Sequence, residues 1–274
     1  MIQPDILFFL ITLAGYLAAS ILYIAILTTR NRAAGRLAVW ILLGAAIAHA
    51  AAFITRWIST GHLPMVSLFE ALSFYALLVV VAYLVVEKLY RFQAIGAFLT
   101  PMAFVTVAMA STTTKQSEPL APILASVWLP IHVAISLTAY TVFTMAFVLA
   151  IIYLLQEREL KSKKAHTVFY RLPPLQTMER LAHTAVAVGF PFMTLSIATG
   201  ALWAEQAWGS YWSWDPKQTM ALVTWLIYAF YFHLHNVVGW RGRRVSWLVV
   251  LGFASVVFTF VGVKFLNPPL HNFI

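Results

Sequence analysis

Four tryptophans are concentrated in one short segment between two long apolar stretches: Trp203, Trp208, Trp212 and Trp214 all lie within residues 203–218. A globular core does not need four indoles in so few residues beside a glycine and a proline. A flat, hydrophobic, extended ligand at a membrane surface does need such a surface. The segment therefore favours the binding of a planar ligand, and haem is the candidate that fits this description.

Histidine must coordinate the iron of such a ligand, because the chain contains no cysteine. The lack of cysteine also excludes a disulfide framework and a thiol redox relay within the chain. Among the eight histidines, His132 and His271 lie at the outer ends of predicted helices, at the depth of the tryptophan segment. Two neutral imidazoles from opposite sides would give a six-coordinate haem iron, with the indoles packed against the porphyrin.

The sequence around each of these histidines is informative. His132 follows Trp128 by four residues, so the two side chains share one face of a helix and an aromatic ring packs beside the ligand. His271 follows a double proline, which ends a helix and gives the chain a rigid, extended approach. Taken alone, either histidine could instead be an interfacial polar residue with a water or carbonyl partner. Their combination with the tryptophans is what favours coordination.

Two carboxylates at predicted helix starts have a structural interpretation. Asp215, followed by Pro216 and Gln218, forms the pattern of a capping box that opens a helix, and a catalytic role for Asp215 is the alternative. Ser67 and Glu70 form a similar pattern at another helix start. Glu70 could also contact a partner or an amine.

Two cations, Arg56 and Lys217, are predicted on the same outer side. Both could pair with haem propionates. Extension of these side chains towards the membrane interface is the simpler interpretation, and it requires no ligand.

Histidines within the predicted bilayer are candidates for function, because ionisable residues are uncommon there. His233 and His235 are two residues apart on one helix, so their side chains point to nearly opposite sides and one of them can face a given site. His49 has small neighbours that permit close helix packing. An interhelical hydrogen bond is the alternative interpretation of His49.

The composition indicates a membrane protein, since 62% of the 274 residues are hydrophobic and 10% are charged. Apolar stretches of about 17 to 28 residues can each cross a bilayer as a helix. We predict an all-α, polytopic integral membrane bundle of about eight transmembrane helices, forming a single domain over residues 1–274 without a soluble domain. The predicted spans are 6–28, 37–56, 68–86, 93–110, 128–155, 182–203, 217–237 and 246–265. The fourth is interrupted by Pro101.

Basic residues predict the topology, because cytoplasmic loops retain Lys and Arg. Most of the 18 basic residues fall in one set of alternate loops, around residues 30–36, 88–91, 158–180 and 241–244. Both termini and the tryptophan segment are therefore predicted on the extracytoplasmic side. The net charge of +9 is mostly this topology signal, and its spread over separate short loops argues against nucleic-acid binding.

These motifs resemble those of the CcsA (ResC) family, the haem-handling subunit of system II cytochrome c maturation. Residues 208–218, Trp-Gly-Ser-Tyr-Trp-Ser-Trp-Asp-Pro-Lys-Gln, are similar to the tryptophan-rich WWD signature of the family. The sequences around His132 and His271 resemble its two external histidine motifs. Residues 56–64, 67–71, 231–233 and 239–244 are also similar, and the resemblance runs from about residue 50 to the end. Gln218 stands where relatives often carry Glu, which preserves the cap.

The resemblance implies specific roles. His132 and His271 would be the axial ligands of an external haem b, held against Trp203, Trp208, Trp212, Trp214, Trp128 and Asp215. His233 would belong to a second, intramembrane haem site whose other histidine comes from a CcsB partner. Haem would be presented to the Cys-x-x-Cys-His segment of an apocytochrome c, as part of a holocytochrome c synthase. The expected location is the bacterial cytoplasmic membrane or a thylakoid-type membrane.

Two other classes of function remain open at this point. One is a regulatory role like that of HemX proteins, which resemble CcsA and are linked to control of haem synthesis through glutamyl-tRNA reductase abundance. That role gives no evident use for an outer histidine pair. The other is a cytochrome b subunit for electron transfer, which predicts histidine pairs buried at matched depths. Here the best pair lies at the outer surface.

Overall fold

The structure is a computed structural model that describes residues 4–29, 32–113, 122–162 and 172–266. Within these ranges every regular element is helical, which confirms the all-α prediction. The eight long helices are α1 (Pro4–Thr28), α2 (Arg32–Thr60), α3 (Leu68–Tyr90), α4 (Gln93–Ser111), α5 (Trp128–Ser162), α6 (Leu175–Trp208), α7 (Pro216–Phe232) and α8 (Arg243–Phe260). Short 3-10 turns cover Pro122–Leu124 and Gly262–Leu266.

Seven of these helices are long and apolar enough to cross a membrane. The exception is α7, which has 17 residues. A five-residue π-helical segment, His233–Val237, continues it, so that the two together cover the predicted span 217–237. The span 217–237 therefore stays a prediction, and the other seven helices make the chain a polytopic membrane protein.

Several helix ends differ from the predicted spans. Helix α6 begins at Leu175, before the predicted residue 182, and α5 continues to Ser162, beyond the predicted residue 155. At about 1.5 Å per residue, a helix of 34 residues is about 51 Å long, which exceeds a hydrocarbon core of about 30 Å. Both helices therefore extend into the polar region. Helix α4 runs through Pro101, so the predicted interruption is wrong.

The helices fall into two compact units, which are described separately. The first contains α1 to α4, and the second contains α5 to α8. In the first unit α1 packs against α2 and α4, and α3 packs against α4.

His49 is a structural residue of the first unit. Its Nδ1 atom lies 3.0 Å from the Tyr16 hydroxyl, and its Nε2 atom lies 2.8 Å from Ser73 Oγ. The side chain is buried, at 1% exposure. Because both ring nitrogens take part in hydrogen bonds that link α1, α2 and α3, the geometry supports the interhelical interpretation of His49.

An ion-pair cluster joins α1, α2 and α3 of the same unit near the start of α3. Arg56 Nε lies 2.7 Å from Glu70 Oε1, and Arg56 Nη1 lies 3.5 Å from Asp5 Oδ2. The predicted capping box is present: Ser67 Oγ accepts from the Glu70 N–H, and the Glu70 carboxylate accepts from the Ser67 N–H. Arg56 is buried and its charge is compensated by two carboxylates, so its side chain does not extend towards the interface; pairing with a haem propionate stays a prediction.

The core of the second unit is a stack of two aromatic rings between two glycines. Phe143 and Tyr228 lie face to face, with centroids 3.9 Å apart and an interplanar angle of 6°. A Cβ atom at Gly189 would lie 2.7 Å from the Phe143 ring, and one at Gly252 would lie 2.7 Å from the Tyr228 ring. Since these residues belong to α5, α7, α6 and α8, the stack joins all four helices of the unit.

Candidate functional site

The tryptophan segment is only partly a loop. Helix α6 continues through Trp203 and ends at Trp208, where Gly209 adopts a left-handed conformation with φ of 73°. The Gly209 N–H donates to Glu205 O at 2.8 Å and terminates the helix. Trp212 and Trp214 therefore lie in the short connection to α7, whereas the two earlier tryptophans lie on the last turns of α6.

The start of α7 is capped as predicted, but the predicted reciprocal hydrogen bond of the capping box is replaced by another one. Asp215 Oδ1 accepts from the Lys217 N–H at 2.9 Å, and Pro216 occupies the first helical position. Gln218 Oε1 accepts from the Ser213 N–H at 2.9 Å rather than from the Asp215 N–H. Trp214 explains the difference, because its φ of 55° turns the chain just before the cap and brings Ser213 to the Gln218 side chain.

The four indoles form two edge-to-face pairs. Trp203 and Trp208 have ring centroids 5.2 Å apart at 75°, and Trp212 and Trp214 have centroids 5.6 Å apart at 88°. Trp203 is buried, whereas Trp214 is 69% exposed. The Trp212 Nε1 atom is buried and has no hydrogen-bond acceptor among the described residues. A buried donor of this kind costs free energy unless an acceptor reaches it, so it suits a ligand oxygen.

His132 is held in one orientation by α6. Its Nδ1 atom lies 2.9 Å from the Ser196 carbonyl oxygen. Because a carbonyl only accepts, Nδ1 carries the proton, and the lone pair of the neutral ring lies on Nε2. Metal-binding histidines are commonly fixed by this kind of bond from the other ring nitrogen. The geometry therefore places the lone pair of the His132 ring on Nε2.

Small side chains of α6 make this placement possible. A Cβ atom at Gly200 would lie 2.7 Å from His132 Cε1, so the ring occupies space that any larger residue would fill. Ser136 Oγ donates to His132 O at 2.7 Å and lies 2.6 Å from Ser196 Oγ, which ties the backbone of α5 to α6. The His132 and Trp203 rings are nearly parallel, at 12°, with centroids 6.5 Å apart. The structure thus brings one predicted ligand beside one predicted aromatic.

Two predicted site residues remain to be placed. Trp128 is the first residue of α5 and shares that helix with His132, as the four-residue spacing requires. Its backbone N–H donates to Ser126 Oγ at 3.2 Å, and packing of its ring beside the histidine stays a prediction. His271 lies outside the described residues, so its role also stays a prediction.

The histidines at the other end of α7 are arranged as their spacing predicts. His233 is exposed and His235 is buried, so the two side chains face different surroundings. The His235 ring stacks on His183 of α6, with centroids 3.9 Å apart and an angle of 13°. Tyr231 OH lies 3.2 Å from His183 Nδ1. The sequence analysis missed the His183–His235 pair, because the contact depends on how α6 packs against α7.

The described residues form a polytopic helical membrane protein in which an imidazole lies beside a tryptophan-rich turn. Residues 65–271 match the family model described as cytochrome c assembly protein. The chain therefore belongs to the cytochrome c assembly protein family, as the motifs predict.

Relatives of known function support this membership. The chain is 34% identical over 238 residues to the cytochrome c biogenesis protein CcsA of Guillardia theta, covering 80% of this chain and 79% of that protein. It is 32% identical to CcsA of Porphyra purpurea, with 94% of each chain covered. It is 34% identical to CcsA of Synechococcus elongatus, with 84% and 86% covered. The chain is accordingly a membrane protein of cytochrome c biogenesis.

A solved structure supports the fold. The chain matches the cytochrome c heme lyase CcmF with a TM-score of 0.74 at 18% sequence identity. The match covers 97% of this chain and 49% of CcmF, so the chain spans about half the length of that protein. At this level of identity the likeness establishes a shared helical architecture.

Proposed function

We propose that this protein holds haem b at its extracytoplasmic surface and presents it for covalent attachment to apocytochrome c. The axial ligands in this proposal are His132 and His271. The observation that carries the proposal is the fixed orientation of His132, whose Nδ1–H is bonded to the Ser196 carbonyl while its ring lies beside Trp203. A preset tautomer favours coordination through Nε2.

The described residues fit a haem. Neutral imidazole is a common ligand of haem iron. The indoles of Trp203, Trp208, Trp212, Trp214 and Trp128 supply the apolar surface that a porphyrin needs. Trp212 also offers a buried indole N–H that a propionate oxygen would accept from. In this proposal Asp215 acts by capping α7 and holding the tryptophan turn in place.

Positioning supplies the rate in this mechanism. When bound, haem provides the vinyl groups to which the two thiols of a Cys-x-x-Cys-His segment add. The tryptophan turn and the histidines orient the ligand and exclude water, so that the reacting groups meet in a near-attack geometry. Such an arrangement contributes roughly 7 to 11 kcal/mol in well-oriented systems. His132 and His271 would hold the haem while the thiols of the apocytochrome segment approach it.

A second proposed site contains His233. The side chain is exposed on a π-helical segment, and such segments occur frequently at functional sites. We propose that His233 binds an intramembrane haem together with a histidine from a CcsB-like partner. Because the His233 imidazole is exposed at the end of an apolar helix, a partner protein can supply the second histidine that coordinates the haem.

The topology and location belong to the same proposal. The basic loops favour a cytoplasmic-membrane or thylakoid-type protein with both termini and the tryptophan turn on the extracytoplasmic side. The two compact units would then serve one haem-handling domain across residues 1–274. This arrangement presents haem on the side where cytochromes c are completed.

Replacement of the proposed ligands tests the function. We expect purified parent protein, with a co-expressed CcsB-like partner, to carry six-coordinate haem. His132→Gly and His271→Gly should each weaken this haem, and added imidazole should restore its absorption spectrum. His62→Gly is the matched control, because His62 bonds through Nδ1 to Leu63 O and lies outside the site. Equal haem content in parent and all variants, or no haem in the parent, contradicts the proposal.

A further inference from the structure

An open cleft of about 760 Å³ lies in the second unit between the end of the π-helical segment and the start of α8. This volume falls within the roughly 300–1,000 Å³ typical of ligand pockets. Its walls come from α5, α6 and the turn that precedes α8. The lining residues that matter here are Tyr153, Glu179, Trp240, Arg241, Arg243 and Arg244. The cleft is separate from the proposed haem ligand His132.

Among the described residues, three arginines and two carboxylates line this cleft, so the lining carries a net positive charge. Within the described part of the chain, none of its three arginines has a carboxylate oxygen within 4.0 Å. The two carboxylates at the cleft have other partners. Glu179 accepts from the Gly242 N–H at 2.8 Å, and Glu157 pairs with Lys161 at 2.8 Å. The guanidinium groups of Arg243 and Arg244 are therefore available to an anion from outside.

The three arginines have different roles. Arg241 donates to the carbonyls of His235 and Trp240, so it fastens the turn to the π-helical segment. Arg244 lies over the Trp240 ring, 5.5 Å from its centroid. Arg243 and Arg244 are the first two residues of α8, an apolar helix long enough to span a membrane. The charged groups thus stand at the boundary between a polar turn and an apolar helix.

An exposed apolar stripe continues from the cleft along α8. Trp247 and Leu251 follow Arg244 by three and seven residues, so they lie on the same helix face. Their exposures are 54% and 55%. A ligand that matches both features has an anionic head and a long apolar tail.

We propose that this cleft binds the phosphate of an anionic phospholipid, whose acyl chain lies along Trp247 and Leu251. Guanidinium groups bind phosphate oxygens in a bidentate manner, which suits Arg243 and Arg244. Basic pockets between transmembrane helices bind phospholipid headgroups in other membrane proteins. The apolar stripe favours a lipid over free phosphate, because a free anion would gain nothing from it. The proposal is independent of haem binding.

Lipid retention measured by native mass spectrometry tests the site. The full-length protein is reconstituted with equal amounts of phosphatidylglycerol and phosphatidylethanolamine, then released into mild detergent. We expect the parent to retain phosphatidylglycerol preferentially. The double variant Arg243→Gln, Arg244→Gln should bind it roughly thirtyfold more weakly, since each arginine near an anionic lipid contributes about fivefold. Arg241 is left intact to preserve the turn.

Three further measurements make the result decisive. Arg158→Gln removes one positive charge from an exposed position of α5 outside the cleft, and it should leave retention unchanged. Leu251→Ser should weaken lipid retention by shortening the apolar stripe. Thermal unfolding should show that each variant remains folded. An equal loss in Arg158→Gln indicates unspecific attraction, and displacement of the lipid by millimolar inorganic phosphate indicates a free-anion site; either result overturns the proposal.

Discussion

Substitution of Gly200 by alanine tests how this protein positions His132. A Cβ atom at residue 200 would lie 2.7 Å from His132 Cε1 and 2.9 Å from Nδ1, and real Cβ atoms essentially never approach so closely. The imidazole ring must therefore move away from α6. That movement lengthens or breaks the 2.9 Å bond from Nδ1–H to the Ser196 carbonyl, which sets the tautomer.

The size of the effect follows from three contributions. Overpacking costs about 1–3 kcal/mol, and loss of the hydrogen bond costs about 1 kcal/mol. Alanine in place of glycine inside a helix returns about 1 kcal/mol. The net cost of keeping the His132 ring in its parent orientation is therefore about 1–3 kcal/mol. At 1.4 kcal/mol per tenfold, haem affinity should fall roughly 5- to 150-fold.

The assay is a haem titration of the purified protein, followed by the absorption bands of six-coordinate iron. Excess imidazole should restore the parent spectrum in Gly200→Ala, because the free ligand replaces a displaced side chain. Gly44→Ala is the matched control, since no atom lies within 4 Å of a Cβ placed there. An affinity within twofold of the parent, or a loss that imidazole does not reverse, refutes the positioning argument.

Two other substitutions separate structural roles from ligand binding. Arg56→Gln leaves the Glu70 and Asp5 carboxylates without their cation. Loss of a buried partner costs about 3–5 kcal/mol, so unfolding in detergent should show a destabilised protein. The haem affinity of the folded protein should stay unchanged. Reduced haem affinity at unchanged stability would instead indicate a propionate contact. Gln218→Ala removes the acceptor of the Ser213 N–H and hydroxyl, so hydrogen exchange should accelerate in residues 210–215 but not in α7; equal exchange in both proteins would contradict this.

The sequence predicted the helices well where hydropathy alone determines them. Seven helices are apolar over at least 18 residues, and six of the predicted spans fall within them. The predicted span 246–265 continues five residues beyond the end of α8 at Phe260, and 217–237 corresponds to α7 and the π-helical segment. The ends of α5 and α6 were less predictable, because hydropathy detects only the part of a helix that lies in hydrocarbon. Charged residues such as Glu157 and Glu179 continue these helices into the polar region.

In the candidate site, too, the sequence predicted the local contacts but not the contacts between helices. The cap at Asp215 was predictable, since the interacting residues are neighbours in sequence. The bond between His132 and Ser196 joins residues 64 positions apart, and the contact with Gly200 depends on the packing of α5 against α6. No sequence pattern within either helix specifies these contacts. The His183–His235 stack was missed for the same reason.

Helix α7 connects the two regions that we propose to bind haem. At its start, Asp215 caps the helix and Gln218 holds the tryptophan turn. At its end, a π-helical segment exposes His233 and buries His235. Seventeen residues at about 1.5 Å each place these two ends about 26 Å apart, close to the thickness of a hydrocarbon core. Helix α7 has 17 residues because its regular α-helical hydrogen bonding gives way to the π-helical segment at His233, and with that segment it covers the predicted span 217–237.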